Sequence, residues 1–226
     1  MRNRKPFDLR WLLFPWNLAL SVFSAVGFYY ALPEFANNLM TRPLVDVICD
    51  PRCFALPSSR WIFFFNVSKF FEFGDTIFIV LRKKPLIFLH YYHHVMTALY
   101  CWYANQVSVY DNCTGWSFAV MNLFVHTLMY THYALAALGI HFNWNVMLTS
   151  LQLAQMVVGM SVVSYAALQC SNRDSFRFGS YFGLIMYASY AVLFANFFIK
   201  RYCGSGKKPT SKEANGANGH IKAKKD

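Results

Sequence analysis

His90-x-x-His93-His94 places three imidazoles within five residues, and Asn122-x-x-x-His126 supplies a fourth further along the chain. Two chemistries use imidazoles at this density. Histidines at i, i+3 and i+4 can ligate one metal ion. Alternatively, an imidazole can attack a thioester and carry the acyl group while a neighbouring histidine manages the protons. Spacing alone does not choose between them. Di-iron oxidation sites of the desaturase or hydroxylase type draw on several histidine boxes. Here the supply is small: the chain has seven histidines, with His220 in the C-terminal tail and His141 in a short connection. A mononuclear zinc site built from His90, His94 and His126 stays open. Acyl transfer would gain from a buried, water-poor chamber, which protects an acyl-imidazole from hydrolysis.

The surrounding sequence offers such a setting. The chain of 226 residues is 56% hydrophobic and 19% aromatic yet carries a formal charge of +11, which argues for a membrane-embedded protein and against a soluble domain. Apolar stretches fall near 11–36, 61–81, 86–104, 115–138, 144–168 and 178–199. Each approaches the roughly 20 residues that an α-helix needs to cross a bilayer core. The expected fold class is therefore an all-α integral membrane protein of about six transmembrane helices, occupying residues 1–203. The first run contains Pro15 and lacks a small-residue cleavage site, so it reads as a span and not as a signal peptide.

Basic residues cluster at the N-terminus (Arg2, Arg4, Lys5, Arg10), at Arg82-Lys83-Lys84 and in the tail from Lys200 to Lys225. An even number of spans puts all three on one side, which the positive-inside rule makes cytosolic, with both termini there. Cys49, Cys53, Cys113 and Cys170 then fall on the opposite, lumenal side, where disulfides can form, and Asn112-Cys113-Thr114 is a glycosylation sequon on that side. Residues 204–226 are rich in Gly, Asn and Lys, a composition expected to stay disordered. Lys222-Ala-Lys224-Lys225-Asp226 has the spacing of a cytosolic retrieval signal for the endoplasmic reticulum, or serves as a basic tail attracted to anionic lipid. The charge is read as a membrane-surface feature, and no nucleic acid partner is expected.

Ionisable and polar groups inside spans are costly and point to a protein-lined cavity. The second span carries Lys69, Glu72, Asp75 and Thr76, the third the three histidines, the fourth Asn122, His126 and His132, and the fifth Thr149, Gln152 and Gln155. At about 100° per residue, Asn122, His126, Met129 and Tyr133 share a stripe, whereas His132 lies about 120° away from His126. His90, His93 and His94 form one face. Lys69 and Glu72 are placed for an i,i+3 ion pair, Glu72 lies near Thr76, and Gln152 shares a face with Gln155. Measured from the cytosolic ends, these groups converge at depths of roughly 8–18 Å, the signature of one polar chamber opening toward the cytosol.

Four motifs, Lys69-x-x-Glu72-x-x-Asp75-Thr76, His90-x-x-His93-His94, Asn122-x-x-x-His126-x-x-Met129-Tyr130-x-x-Tyr133 and Thr149-x-x-Gln152-x-x-Gln155, together resemble the very-long-chain fatty acid elongase family in order and spacing, over about Lys5 to Cys203. The resemblance implies a barrel of helices around a substrate tunnel. It also implies the condensing step of elongation, in which acyl-CoA and malonyl-CoA give 3-oxoacyl-CoA, CO2 and CoA with no metal and no cofactor beyond the co-substrate malonyl-CoA. On that footing His93 is the nucleophile, His126 assists proton transfer, and His90 and His94 orient it. Lys69, Glu72, Asp75, Thr76, Asn122, Met129, Tyr130, Tyr133, Gln152 and Gln155 frame the substrates. The expected partners are membrane lipid, a ketoreductase, a dehydratase and an enoyl reductase of the elongation cycle, and a second copy in a homodimer. His90-Tyr91-Tyr92-His93-His94, Cys101-Trp102-Tyr103 and the presence of Pro85 where elongases of polyunsaturated chains carry Gln resemble the subgroup acting on saturated and monounsaturated chains. Two departures stand out: His132 replaces the family's usual Tyr, and the chain begins where the second of the usual seven spans would start. A lipid transporter without catalytic activity is the remaining rival reading.

Overall fold

The computed structural model describes residues 5–50, 58–107, 114–170 and 174–203. The sequon at Asn112, Cys53, Cys113 and the tail 204–226 lie outside these. The described chain is all helical: α1 (Arg10–Thr41), α2 (Leu44–Cys49), α3 (Ser58–Phe71), α4 (Phe73–Leu81), α5 (Phe88–Val107), α6 (Thr114–Ala137), α7 (Asn145–Gln169) and α8 (Asp174–Phe198), followed by a π-helical turn, Ile199–Cys203. Among the described residues, three segments are long and apolar enough to cross a membrane: Arg10–Thr41, Asn145–Gln169 and Phe178–Cys203. In α5 and α6, of 20 and 24 residues, the histidines and other polar groups dilute the apolar character.

One expected span departs from the sequence reading. The stretch near 61–81 is two helices, α3 and α4, joined through Glu72. At the joint the Asp75 amide bonds the Glu72 carbonyl, three residues back, a tighter turn than the α-helical ring. Periodicity does not reveal this, because Glu72 keeps a helical backbone and the apolar run continues on both sides.

Helix α1 lies along α6, and the sequence explains how closely. Asn17, Ser21, Ser24, Gly27 and Ala31 are buried at spacings of three and four, a stripe of small side chains that lets two backbones approach. Ser21 Oγ sits 2.7 Å from Thr131 Oγ1 across this seam. Further contacts pair α6 with α7, α7 with α8, α8 with α5, α5 with α3, and α3 back with α6, so five helices close a ring, with α4 against α3 and α5. Helix α6 stops at Gly139, whose φ of +84° lets Ile140 N reach back to the Leu135 carbonyl.

A disulfide joins Cys49, at the end of α2, to Cys170, just past α7, spanning 121 residues. It resolves a pairing that cysteine positions alone left open. Arg42 and Asp50 form an ion pair at 2.6 Å beside it, and Ile48 packs on Ala166 beneath. Because the bridge closes a long loop, Cys49→Ser with Cys170→Ser is expected to lower stability by about 2–4 kcal/mol. Thermal melts of the detergent-solubilised protein followed by tryptophan fluorescence check this, and an unchanged melting temperature would contradict it.

Candidate functional site

The site begins at the joint between α3 and α4. Lys69 and Glu72 are 2% and 4% exposed, and Lys69 Nζ donates to Glu72 Oε1 at 2.7 Å, the i,i+3 pair their spacing predicts. Lys69 also donates to Asn122 Oδ1 at 2.7 Å and lies 4.3 Å above the Phe65 ring. A buried ammonium is thus satisfied from α3, the α3–α4 joint and α6 together. Glu72 faces two histidines as well: His126 Nδ1 is 3.4 Å from Oε1, and His94 Nδ1 is 4.0 Å from Oε2. A carboxylate opposite Nδ1 favours the tautomer protonated there, which leaves the His126 Nε2 lone pair free to act as a base.

Asp75, three residues on, accepts hydrogen bonds from Trp16 Nε1 at 2.7 Å and Tyr130 Oη at 2.8 Å, tying α4 to α1 and α6. Gly74 makes this possible, because a Cβ there would overlap the Trp16 ring. Thr76 Oγ1 lies 3.0 Å from His90 Nε2, and the His90 and His94 rings sit 4.4 Å apart.

His93 lies at the edge of this network, its ring 5.7 Å from that of His94. It lines a cavity of about 50 Å³ together with Asn122 and Gln155, while the rest of the wall is largely apolar and aromatic. The Tyr190 hydroxyl donates to the His93 carbonyl at 3.0 Å, and its ring lies 4.8 Å from the imidazole. His93 Nδ1 is buried without a hydrogen-bond partner among the described residues. The three box histidines keep one face, on which His93 borders the cavity while His90 and His94 approach Thr76 and Glu72. Successive residues step about 100° around a helix, so the three rings span an arc wide enough for His93 to meet the cavity while His90 and His94 turn toward α4. Among the described residues, no three His, Cys, Asp or Glu side chains are arranged to hold a metal ion.

Residues 1–210 match the ELO family, described as GNS1/SUR4. Very long chain fatty acid elongase 6 of Mus musculus is 39% identical over 221 residues, covering 94% of this chain and 81% of the mouse protein. Elongase 6 of Drosophila melanogaster is 40% identical over 219 residues, covering 91% and 67%. Long chain fatty acid elongase 1 of Caenorhabditis elegans is 35% identical over 215 residues, covering 92% and 74%. The chain belongs to the ELO family.

In this ELO protein the other residues singled out by sequence take varied places. Gln155 is buried at the cavity, whereas Gln152 Nε2 reaches Met129 Sδ at 3.4 Å. Thr149 bonds back to the Asn145 carbonyl. Tyr130 is 1% exposed, while Tyr133 is 46% exposed. His132 stacks on Trp144 at 6.2 Å, in keeping with its position off the His126 stripe. Sequence reasoning missed Trp16, Thr97, Tyr187 and Tyr190. Trp16 follows Pro15 near the start of an apolar run, where tryptophan ordinarily marks the membrane interface. The Tyr92-x-x-x-x-Thr97 spacing gave no hint that both hydroxyls bond α8, Tyr92 to Ser189 at 3.0 Å and Thr97 to Tyr190 at 2.8 Å.

The buried charges make one quantity testable. Lys69→Met removes the ammonium and strands the Glu72 carboxylate, at an expected cost of about 3–5 kcal/mol. Lys69→Met with Glu72→Gln should recover a substantial part of that loss. If melting temperatures show the two changes simply adding, the pair is not coupled as described.

Proposed function

We propose that this ELO-family membrane protein performs the condensing step of fatty acid elongation with His93 as the residue that takes the acyl group. The reaction of a 3-oxoacyl-CoA synthase joins acyl-CoA and malonyl-CoA and releases CO2 and CoA. The observation that carries the assignment of His93 is its position: of the histidine box it alone lines the cavity, and it does so with an unpartnered, buried ring nitrogen.

The His93 imidazole attacks the thioester carbonyl, the C–S bond breaks, and CoA leaves as thiol once it has received the proton that the imidazole gives up. Decarboxylation of malonyl-CoA then yields an enolate carbon that attacks the acyl-imidazole. The C–N bond breaks, the ring takes up a proton from solvent in place of the one carried off by CoA, and 3-oxoacyl-CoA is formed. His126 relays these protons, because Glu72 opposite its Nδ1 keeps Nε2 basic. His90 and His94 orient the box through Thr76 and Glu72. Asn122 and Gln155 supply polar contacts for the thioester end at the cavity wall. Lys69, Asp75, Met129, Tyr130, Tyr133 and Gln152 hold the frame that receives the CoA arm.

In this reading α1 and the ring of α3, α5, α6, α7 and α8 form the barrel and the acyl chain enters the cavity. The basic turn at Arg82-Lys83-Lys84 meets CoA phosphates on the cytosolic side. The Cys49–Cys170 bridge supports a lumenal place for the opposite ends, hence an endoplasmic reticulum membrane with both termini cytosolic. The product must still be reduced, dehydrated and reduced again, so a ketoreductase, a dehydratase and an enoyl reductase act beside this chain. The substrates proposed are saturated and monounsaturated long-chain acyl-CoAs.

The test is incubation of purified protein with a saturated acyl-CoA and labelled malonyl-CoA, without NADPH. Wild type should accumulate labelled 3-oxoacyl-CoA, and His93→Ala should lose at least a hundredfold of the rate, on the order expected for removing a group essential to covalent chemistry. Failure of wild type across a range of chain lengths, with near-stoichiometric iron on elemental analysis, would favour a metal-dependent oxidase.

A further inference from the structure

Aromatic rings crowd the cavity beyond His93, and two of them owe their positions to glycines behind the wall. Cavity positions on α5 run from His93 past Tyr100 to Ala104, about 16 Å of helix rise, with Tyr100 about 10 Å along. Phe118 of α6 marks the same level from another side. Its ring lies 6.5 Å from Tyr100 and 4.9 Å from Tyr187 of α8, and all three line the cavity.

The Tyr187 ring also rests on the bare Cα of Gly159 in α7. A Cβ at Gly159 would stand 2.7 Å from Cε1 and 2.8 Å from Cδ1. These atoms are in the middle of a ring that Phe118 and Tyr190 flank, so relief requires the whole ring to move and not a side-chain tip to bend. Tyr100 shows a milder form of the same contact: a Cβ at Gly183 of α8 would come within 2.8 Å of its hydroxyl, the far end of the side chain. Neither glycine lines the cavity itself.

We propose that Gly159, and more weakly Gly183, set the length of acyl chain accepted, by letting Tyr187 and Tyr100 recede into the wall. The proposal rests on the reading that the acyl chain occupies this cavity. A methyl group at residue 159 moves Tyr187 away from α7 and into the space it bounds. That space lies well beyond the reacting nitrogen, so the loss falls on the distal methylenes and spares short chains. The control is indirect, exerted by residues that no substrate atom touches.

The experiment compares full-length wild type, Gly159→Ala, Tyr187→Leu and the double variant on a series of saturated acyl-CoAs of graded length, with labelled malonyl-CoA and no NADPH. The readout is the ratio of rates on long and short acyl-CoAs within each preparation, which cancels differences in the amount of folded protein. Gly159→Ala should lower the ratio by about tenfold or more, the scale on which an apolar pocket discriminates methylenes. Tyr187→Leu should raise it, and adding Tyr187→Leu to Gly159→Ala should return the profile to wild type or beyond. If Gly159→Ala is inactive on every chain, the Tyr187→Leu profile decides alone. Unchanged profiles in an enzyme that condenses overturn the gauge and leave the condensing reading standing. A wild-type chain that condenses none of the series overturns both.

Discussion

The buried ion pair between Lys69 and Glu72 is the constraint around which the site is organised. An ammonium and a carboxylate removed from water cost several kcal/mol each unless their remaining hydrogen-bonding capacity is met. Here it is met by elements far apart in sequence: Asn122 from α6 on the ammonium, and His126 and His94 facing the carboxylate. Meeting that demand fixes the rotation of α6 relative to α3 and of α5 relative to α4. It also explains why an apolar stretch breaks into two helices at Glu72, since the tighter turn there brings Asp75 around to Trp16 and Tyr130.

His93 stands where this polar frame gives way to the aromatic cavity. Asn122 belongs to both sides: it accepts from Lys69 and lines the cavity beside His93, one helical turn from His126. Tyr190 fixes the backbone of His93 from α8 and is itself held by Thr97, one turn further along α5. A reacting imidazole positioned by its main chain keeps its ring free for substrate. The histidines that Glu72 and Thr76 engage are correspondingly less free, which is why the box divides its labour.

Much of this was legible in the sequence, and the reason is helical periodicity. The Lys69–Glu72 pair and the displacement of His132 from the His126 stripe follow from angular steps alone, and both hold. What periodicity does not convey is the rotation of one helix against another. Periodicity puts three histidines on one face, and it leaves open which part of that arc of about 100° each neighbouring helix meets. Trp16 escaped notice because its partner is on another helix and its own position suits an interfacial anchor. The cavity wall escaped for a different reason: with 19% aromatic residues, a tyrosine facing substrate looks the same in sequence as one facing lipid. Only the glycines that abut such rings distinguish them, and they do so in three dimensions.

The chemistry proposed for the site turns on His93 carrying the acyl group. Incubating the purified protein with acyl-CoA alone, without malonyl-CoA, and measuring the mass of the intact chain and its peptides tests it most directly. An increment equal to the acyl group is expected on the peptide bearing His93, lost in His93→Gln and discharged when malonyl-CoA is added. An adduct on another residue, or none under conditions where condensation proceeds, would contradict it.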